Sequence, residues 1–111
     1  MALNFIAQPA GKLSGELRVP GDKSISHRSV MLGSIADGTT RVSGFLSGED
    51  AIATMQAFRA MGVSIDHQED QLEIRGVGIN GLHAPSSPID LGNSGTAMRL
   101  MMGLLAGQGF D

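Results

Sequence analysis

The sequence predicts an α/β chain, on three observations. Stretches with apolar residues at helical spacing alternate with short stretches rich in β-branched residues. Two of the helical stretches open on a glycine turn followed by small polar residues. Those two openings, at Gly21 and Gly92, come into register when the chain is shifted by 71 positions.

Residues 1–12 carry little pattern. Leu13, Gly15, Leu17 and Val19 then alternate with polar residues, which predicts a strand ending at Pro20. A helix follows over Ser24 to Ala36. Ile25, Leu32, Ile35 and Ala36 fall on one face of it, and Asp37-Gly38 supplies a stop. Thr39 to Phe45 reads as a strand. Ser47-Gly48-Glu49-Asp50 has the spelling of a capping box before a second helix. That helix runs to about Met61, buries Ile52, Met55 and Phe58, and is closed by Gly62. Val63 to His67 and Gln71 to Arg75 form a hairpin about the acidic turn Glu69-Asp70. Residues 76–87 are a loop rich in Gly, Pro and Ser, and Pro88 to Leu91 a brief strand. Gly92-Asn93-Ser94-Gly95-Thr96 opens a third helix that runs to about Leu105.

The internal repeat organises these elements. At the shift of 71, Gly21 falls on Gly92, Asp22 on Asn93, Arg28 on Arg99, Met31 on Met102 and Gly38 on Gly109. The second copy ends after its first helix. The 111 residues therefore read as one full supersecondary unit plus the start of another, the N-terminal part of a longer protein.

Composition narrows the function classes. A hydrophobic fraction of 41% and a charged fraction of 17% belong to a globular chain. The net charge of −3 disfavours bulk electrostatic binding of nucleic acid, so anion binding must be local. The absence of cysteine excludes disulfides and thiolate metal sites. His27, His67 and His83 show no metal-ligand spacing. No apolar run is long enough to span a bilayer, and the start lacks a signal-peptide pattern. The expectation is a soluble, cytoplasmic protein without metal or cofactor.

The first constellation is Pro20-Gly21-Asp22-Lys23-Ser24-Ile25-Ser26-His27-Arg28. A helix start carries partial positive charge and favours acidic neighbours. Here it meets Lys23 and, one turn in, Arg28. Free backbone N–H groups, a serine hydroxyl and two cations at one helix start suit a phosphate. The plain alternative is a solvated helix start with Ser24 as its N-cap. A Walker loop is excluded, because positions 17 and 22 are Leu17 and Asp22 instead of glycine. The second constellation is Gly92 to Thr96, whose glycines allow an anion-binding nest, with Arg99 four residues after Gly95. Its plain alternative pairs Arg99 with a carboxylate such as Asp50 or Asp90. Gly76-Val77-Gly78-Ile79-Asn80-Gly81 matches a dinucleotide fingerprint by letter, but no helix follows it, so it is loop chemistry. His27 reads as a surface residue or one packed against a neighbour, and His67 and His83 as turn or surface residues.

The two constellations closely resemble the EPSP (5-enolpyruvylshikimate-3-phosphate) synthase family in order and separation. The similarity runs from about Leu13 to Phe110. The resemblance implies βαβαββ units of the enolpyruvyl transferase type, an inverse α/β barrel, with one full unit and the start of a second here. Residues 1–20 would then be a lead and strand packing with the other domain, and 21–111 a partial substrate-binding domain. It implies transfer of the enolpyruvyl group of phosphoenolpyruvate to the 5-hydroxyl of shikimate 3-phosphate, in the shikimate pathway, without a metal. By resemblance, Lys23 is catalytic and contacts both substrates, phosphoenolpyruvate and shikimate 3-phosphate. Ser24 and Arg28 hold the shikimate 3-phosphate. Asn93, Gly95 and Thr96 shape the phosphoenolpyruvate pocket, and Arg99 supports that loop. The family's acid/base carboxylate and lysine come from later in its chain, so this chain alone is expected not to turn over. His27 and Leu100 stand where one branch of the family has asparagine and proline, while Gly95 matches the glyphosate-sensitive pattern.

Overall fold

The computed structural model describes residues 2–110. The elements are α1 (Lys23–Ile35), β1 (Asp37–Val42), α2 (Glu49–Ala60), β2 (Ser64–Gln68), β3 (Gln71–Val77) and α3 (Gly95–Ala106). The sheet order is β1-β3-β2, and both flanking strands run antiparallel to β3. β1 and β2 are therefore parallel to each other, which is why a whole helix, α2, connects them.

The strand period of two sorts the sheet into faces. Thr40 and Val42 sit opposite Ile74 and Leu72, and Ile65 opposite Ile74, on the side that meets the helices. Glu73 occupies the other side, with Arg41 and Asp66 opposite it on the two flanking strands. The Arg41 to Glu73 contact there is 3.3 Å long and exposed, so it adds little to stability. α1 and α2 pack on each other and on the apolar face, around Val30, Met31, Met55, Phe58 and Met61. α3 adds Ala97 and Met101 to the same core, while Met98 and Met102 remain exposed.

α1 lies unusually close to the sheet because glycines make room. A Cβ on Gly33 would meet Ile74 Cδ1 at 3.0 Å and Thr40 Cβ at 3.3 Å. At Gly76 the approach is tighter still. A Cβ there would fall 2.6 Å from Gly33 O, and closer yet to Ala36 O, both backbone atoms that cannot swing aside. This contact seats the C-terminal end of α1 on β3.

Several expectations are corrected. Leu13 to Val19 forms no strand. Leu13 and Leu17 are 85% and 80% exposed, and no neighbouring strand offers a ladder of hydrogen bonds. The apolar face predicted for the first helix is also wrong at Ile25 and Leu32, which are 69% and 64% exposed. The seated face is His27, Val30, Met31, Gly33 and Ser34, whose small and polar members hide it from a hydrophobicity count. Asp37-Gly38 opens β1 rather than ending the helix, and β1 stops at Val42, short of Phe45. Ser47 does not cap α2: Gly48 holds the N-cap position without a side-chain bond. The Ser47 hydroxyl is instead committed to Glu69 O at 3.2 Å. Residues 88–91 form no strand. The hairpin is borne out, with Glu69 in the left-handed region at φ 53°. No helix among the described residues is long and apolar enough to cross a membrane.

The glycine contacts predict opposite outcomes for one substitution type. Gly76→Ala should destabilise the chain by about 1–3 kcal/mol through overpacking. Gly103→Ala, in the interior of α3 with open space around it, should stabilise by about 0.5–1 kcal/mol. Urea unfolding of the two variants measures both.

Candidate functional site

The two constellations become two helix starts of similar design. At α1 the Asp22 carboxylate is the N-cap and accepts from Ile25 N–H at 2.8 Å. Ser26 N–H goes to Asp22 O. At α3 the Ser94 hydroxyl is the N-cap and accepts from Ala97 N–H at 3.1 Å. Met98 N–H goes to Ser94 O. In each helix the third N–H is thus satisfied by the cap and the fourth by the first helical bond. The first two N–H groups, on Lys23 and Ser24 and on Gly95 and Thr96, have no partner among the described residues. They are donors available to an oxyanion.

Asp22 and Ser94 are caps that the sequence reading did not assign; each is a favoured cap residue three positions before its bonded N–H. Ser24 is not the N-cap but the second helical residue. The caps also refine the repeat. The helices begin at Lys23 and Gly95, one position out of step with the match of Gly21 to Gly92. Arg28 and Arg99 are therefore not equivalent: they differ by one residue in helical position, about 100° of azimuth.

The conflict of cations with the helix dipole is partly met inside the chain. Asp22 places an acid at the cap, and Lys23 Nζ lies 2.5 Å from Asp50 Oδ2 in the first turn of α2. Asp50 lines an open groove of about 300 Å³ with Lys23, Leu46 and Gly48. Arg28 remains exposed and folds back so that Nη1 donates to Ser24 O at 3.1 Å. It has no carboxylate partner among the described residues. Ser26 ties this helix start to the neighbouring loop: its hydroxyl donates to Asp22 O at 2.7 Å and accepts from Leu46 N–H at 3.0 Å.

At α3, the suggested carboxylates for Arg99 are engaged elsewhere, Asp50 with Lys23 and Asp90 with Gly92 N–H at 2.8 Å. Arg99 is exposed and lies back over Gly95, where a Cβ would come 2.7 Å from its Nη1. Asn93 is exposed and Thr96 half-buried. Among the described residues no hydrogen bond or ion pair joins the Lys23, Ser24 and Arg28 group to the Asn93, Gly95, Thr96 and Arg99 group.

His27 is no surface residue: it is fully buried, and its Nδ1 lies 2.8 Å from Thr54 Oγ1. Ser47 and His67 approach to 3.1 Å, but this is no activated nucleophile. His67 Nε2 faces Glu69 O at 2.8 Å, so the network assigns its N–H to that carbonyl and leaves no lone pair to take the serine proton.

Burial lowers the pKa of His27 below 6.5, against a raising effect of Asp50, with Lys23 and Arg28 adding to the lowering. The folded chain therefore prefers the neutral ring. That contribution to stability is complete above pH 6.5 and is lost as pH falls through the folded value. The urea midpoint should drop between pH 7.5 and 5.5, about the range where histidine titrates. His27→Gln should flatten that drop; an unchanged slope would show that the ring carries none of it.

A family model described as EPSP synthase (3-phosphoshikimate 1-carboxyvinyltransferase) matches residues 7–111. The 3-phosphoshikimate 1-carboxyvinyltransferase of Methylococcus capsulatus is 66% identical over 108 residues, covering 96% of this chain and 25% of that protein. The enzyme of the same name from Alkalilimnicola ehrlichii is 62% identical over 111 residues, with 98% and 25% covered. The solved EPSP synthase from Acinetobacter baumannii matches with a TM-score of 0.83 at 60% identity, over 86% of this chain and 22% of that one. The chain spans about a quarter of the length of these curated relatives. On a match that covers nearly every residue, both helix starts included, the chain belongs to the EPSP synthase family.

Proposed function

We propose that this chain supplies part of the substrate-binding surface for enolpyruvyl transfer from phosphoenolpyruvate to the 5-hydroxyl of shikimate 3-phosphate. The observation that carries the reading is the pair of helix starts. Each leaves two N–H groups without a partner among the described residues and has an arginine nearby, in a chain whose relatives are named for this transferase. In this reading Ser24 and Arg28 take the 3-phosphate of shikimate 3-phosphate. The hydroxyl and N–H of Ser24 donate to it, and the Arg28 guanidinium offers a fork of donors. Lys23 is the catalytic cation, set against phosphoenolpyruvate. Asn93, Gly95 and Thr96 line the pocket for phosphoenolpyruvate, and Arg99 braces the Gly95 turn.

The reaction forms a bond between the 5-hydroxyl oxygen and the enolpyruvyl carbon, breaks that carbon's bond to the phosphate oxygen, and releases inorganic phosphate. Donors already in place neutralise the anions before the transition state is reached, so no reorganisation is needed at that moment. The acid and base of the reaction are not assigned to this chain. Residues 2–20 are exposed throughout, which supports the reading that residues 1–20 pack against protein outside 21–111.

A second reading, an anion-binding module without turnover, is favoured because among the described residues no hydrogen bond or ion pair joins the two helix starts. Titration of the chain with shikimate 3-phosphate, followed by amide chemical shifts, tests the binding claim. The Lys23, Ser24 and Arg28 amides should move, and Arg28→Ala should weaken binding roughly tenfold, the worth of a charged hydrogen bond. Still amides at all three positions would sink the assignment. A phosphate-release assay should show no turnover by this chain alone; steady release would exclude the second reading.

A further inference from the structure

α1 and α2 are joined by two rungs at the same spacing on both helices. The outer rung is Lys23 to Asp50, Nζ to Oδ2 at 2.5 Å. The inner rung is His27 to Thr54, Nδ1 to Oγ1 at 2.8 Å. Lys23 and His27 are four apart on α1, as are Asp50 and Thr54 on α2, so each rung stacks one turn above the other. The inner rung is fully buried at both ends. Thr54 Oγ1 donates to Asp50 O at 3.3 Å, which commits the hydroxyl proton. His27 must therefore donate through Nδ1–H, a tautomer assigned from this network. Its Nε2 is left as a buried lone pair without a partner among the described residues. A buried polar atom left unmade is costly, and an apolar side chain of similar size would avoid the cost. The one bond the ring makes is what the imidazole contributes.

We propose that His27 and Thr54 are positioning residues for Lys23: their buried bond locks α1 on α2 in the register at which Asp50 holds the Lys23 ammonium at the anion site. This rests on the reading that the start of α1 binds an oxyanion. The direction of the effect follows from the donors. An ammonium has three N–H groups; Asp50 takes one and leaves the others for an anion beside the free Lys23 and Ser24 N–H groups. A long side chain already held in place loses less freedom when it binds. Without the inner rung Lys23 starts as a loose chain, and binding weakens.

Inorganic sulfate is the probe, because its charge is constant near neutral pH, and the Lys23 and Ser24 amide shifts of the whole chain are the readout. Thr54→Ser keeps the hydroxyl and should bind sulfate as the unaltered chain does. Thr54→Val keeps the shape, removes the hydroxyl, and should bind roughly threefold to tenfold more weakly, the worth of one neutral hydrogen bond. The unaltered chain gives a second readout that does not depend on any variant folding. Sulfate should shift the His27 ring signals and leave those of His67 and His83 in place. Equal or tighter sulfate binding by Thr54→Val overturns the proposal and leaves the anion site standing, as does a His27 ring that sulfate does not move. Sulfate that fails to move the Lys23 and Ser24 amides of the unaltered chain overturns the anion reading and this inference together.

Discussion

The seat of α1 on β3 is the constraint from which the rest follows. Gly33 and Gly76 bring helix and sheet backbone into contact, and a side chain at either position would have to displace backbone or core. Closely packed interiors transmit such a displacement rather than absorb it. The seat presents Val30 and Met31 to the sheet and turns His27 towards Thr54 of α2. It also leaves Lys23, Ser24 and Arg28 at the exposed end. A helix so placed has its N-terminus beside that of α2, and the acid of one first turn meets the cation of the other.

Both helix starts use a short polar cap on the third N–H and leave the first two free. A longer cap network would satisfy more donors and close the site to anions. The charge around α1 is balanced rather than simply positive, since Asp22 and Asp50 stand beside Lys23 and Arg28. Such balance keeps the unoccupied helix start stable. Arg28, whose partner among the described residues is a carbonyl and not a carboxylate, is free to turn towards a ligand. Arg99 has the same freedom at α3, where it lies over Gly95 in the space a side chain would fill.

The order α1, β1, α2, β2, β3 is the family's βαβαββ unit without its first strand. The missing strand shows what alternation can and cannot establish. Leu13, Leu17 and Val19 have the right period, yet a strand exists only where another strand accepts its hydrogen bonds. The same logic explains Ser47. Its spelling with Glu49 and Asp50 is a capping signal, but the hydroxyl found Glu69 O of the hairpin turn, and the backbone of α2 began at Gly48 regardless.

Read from residues alone, the sequence determined the α/β class, three helices, the hairpin about Glu69 and Asp70, and the two glycine-led helix starts. These are local: period, turn chemistry and cap spelling act within a few residues. The cations near the two helix starts were also legible, because a cation there is a conflict visible in the letters. Only the tertiary structure decided which face of α1 is buried. Ile25 and Leu32 are left exposed, and the seat is taken by the face carrying Val30, Met31, Gly33 and His27, where the glycine allows close approach to the sheet and the imidazole meets Thr54. The partner of Lys23 was decided the same way. Asp50 is 27 residues away, and nothing local brings it within reach until two helices pack side by side.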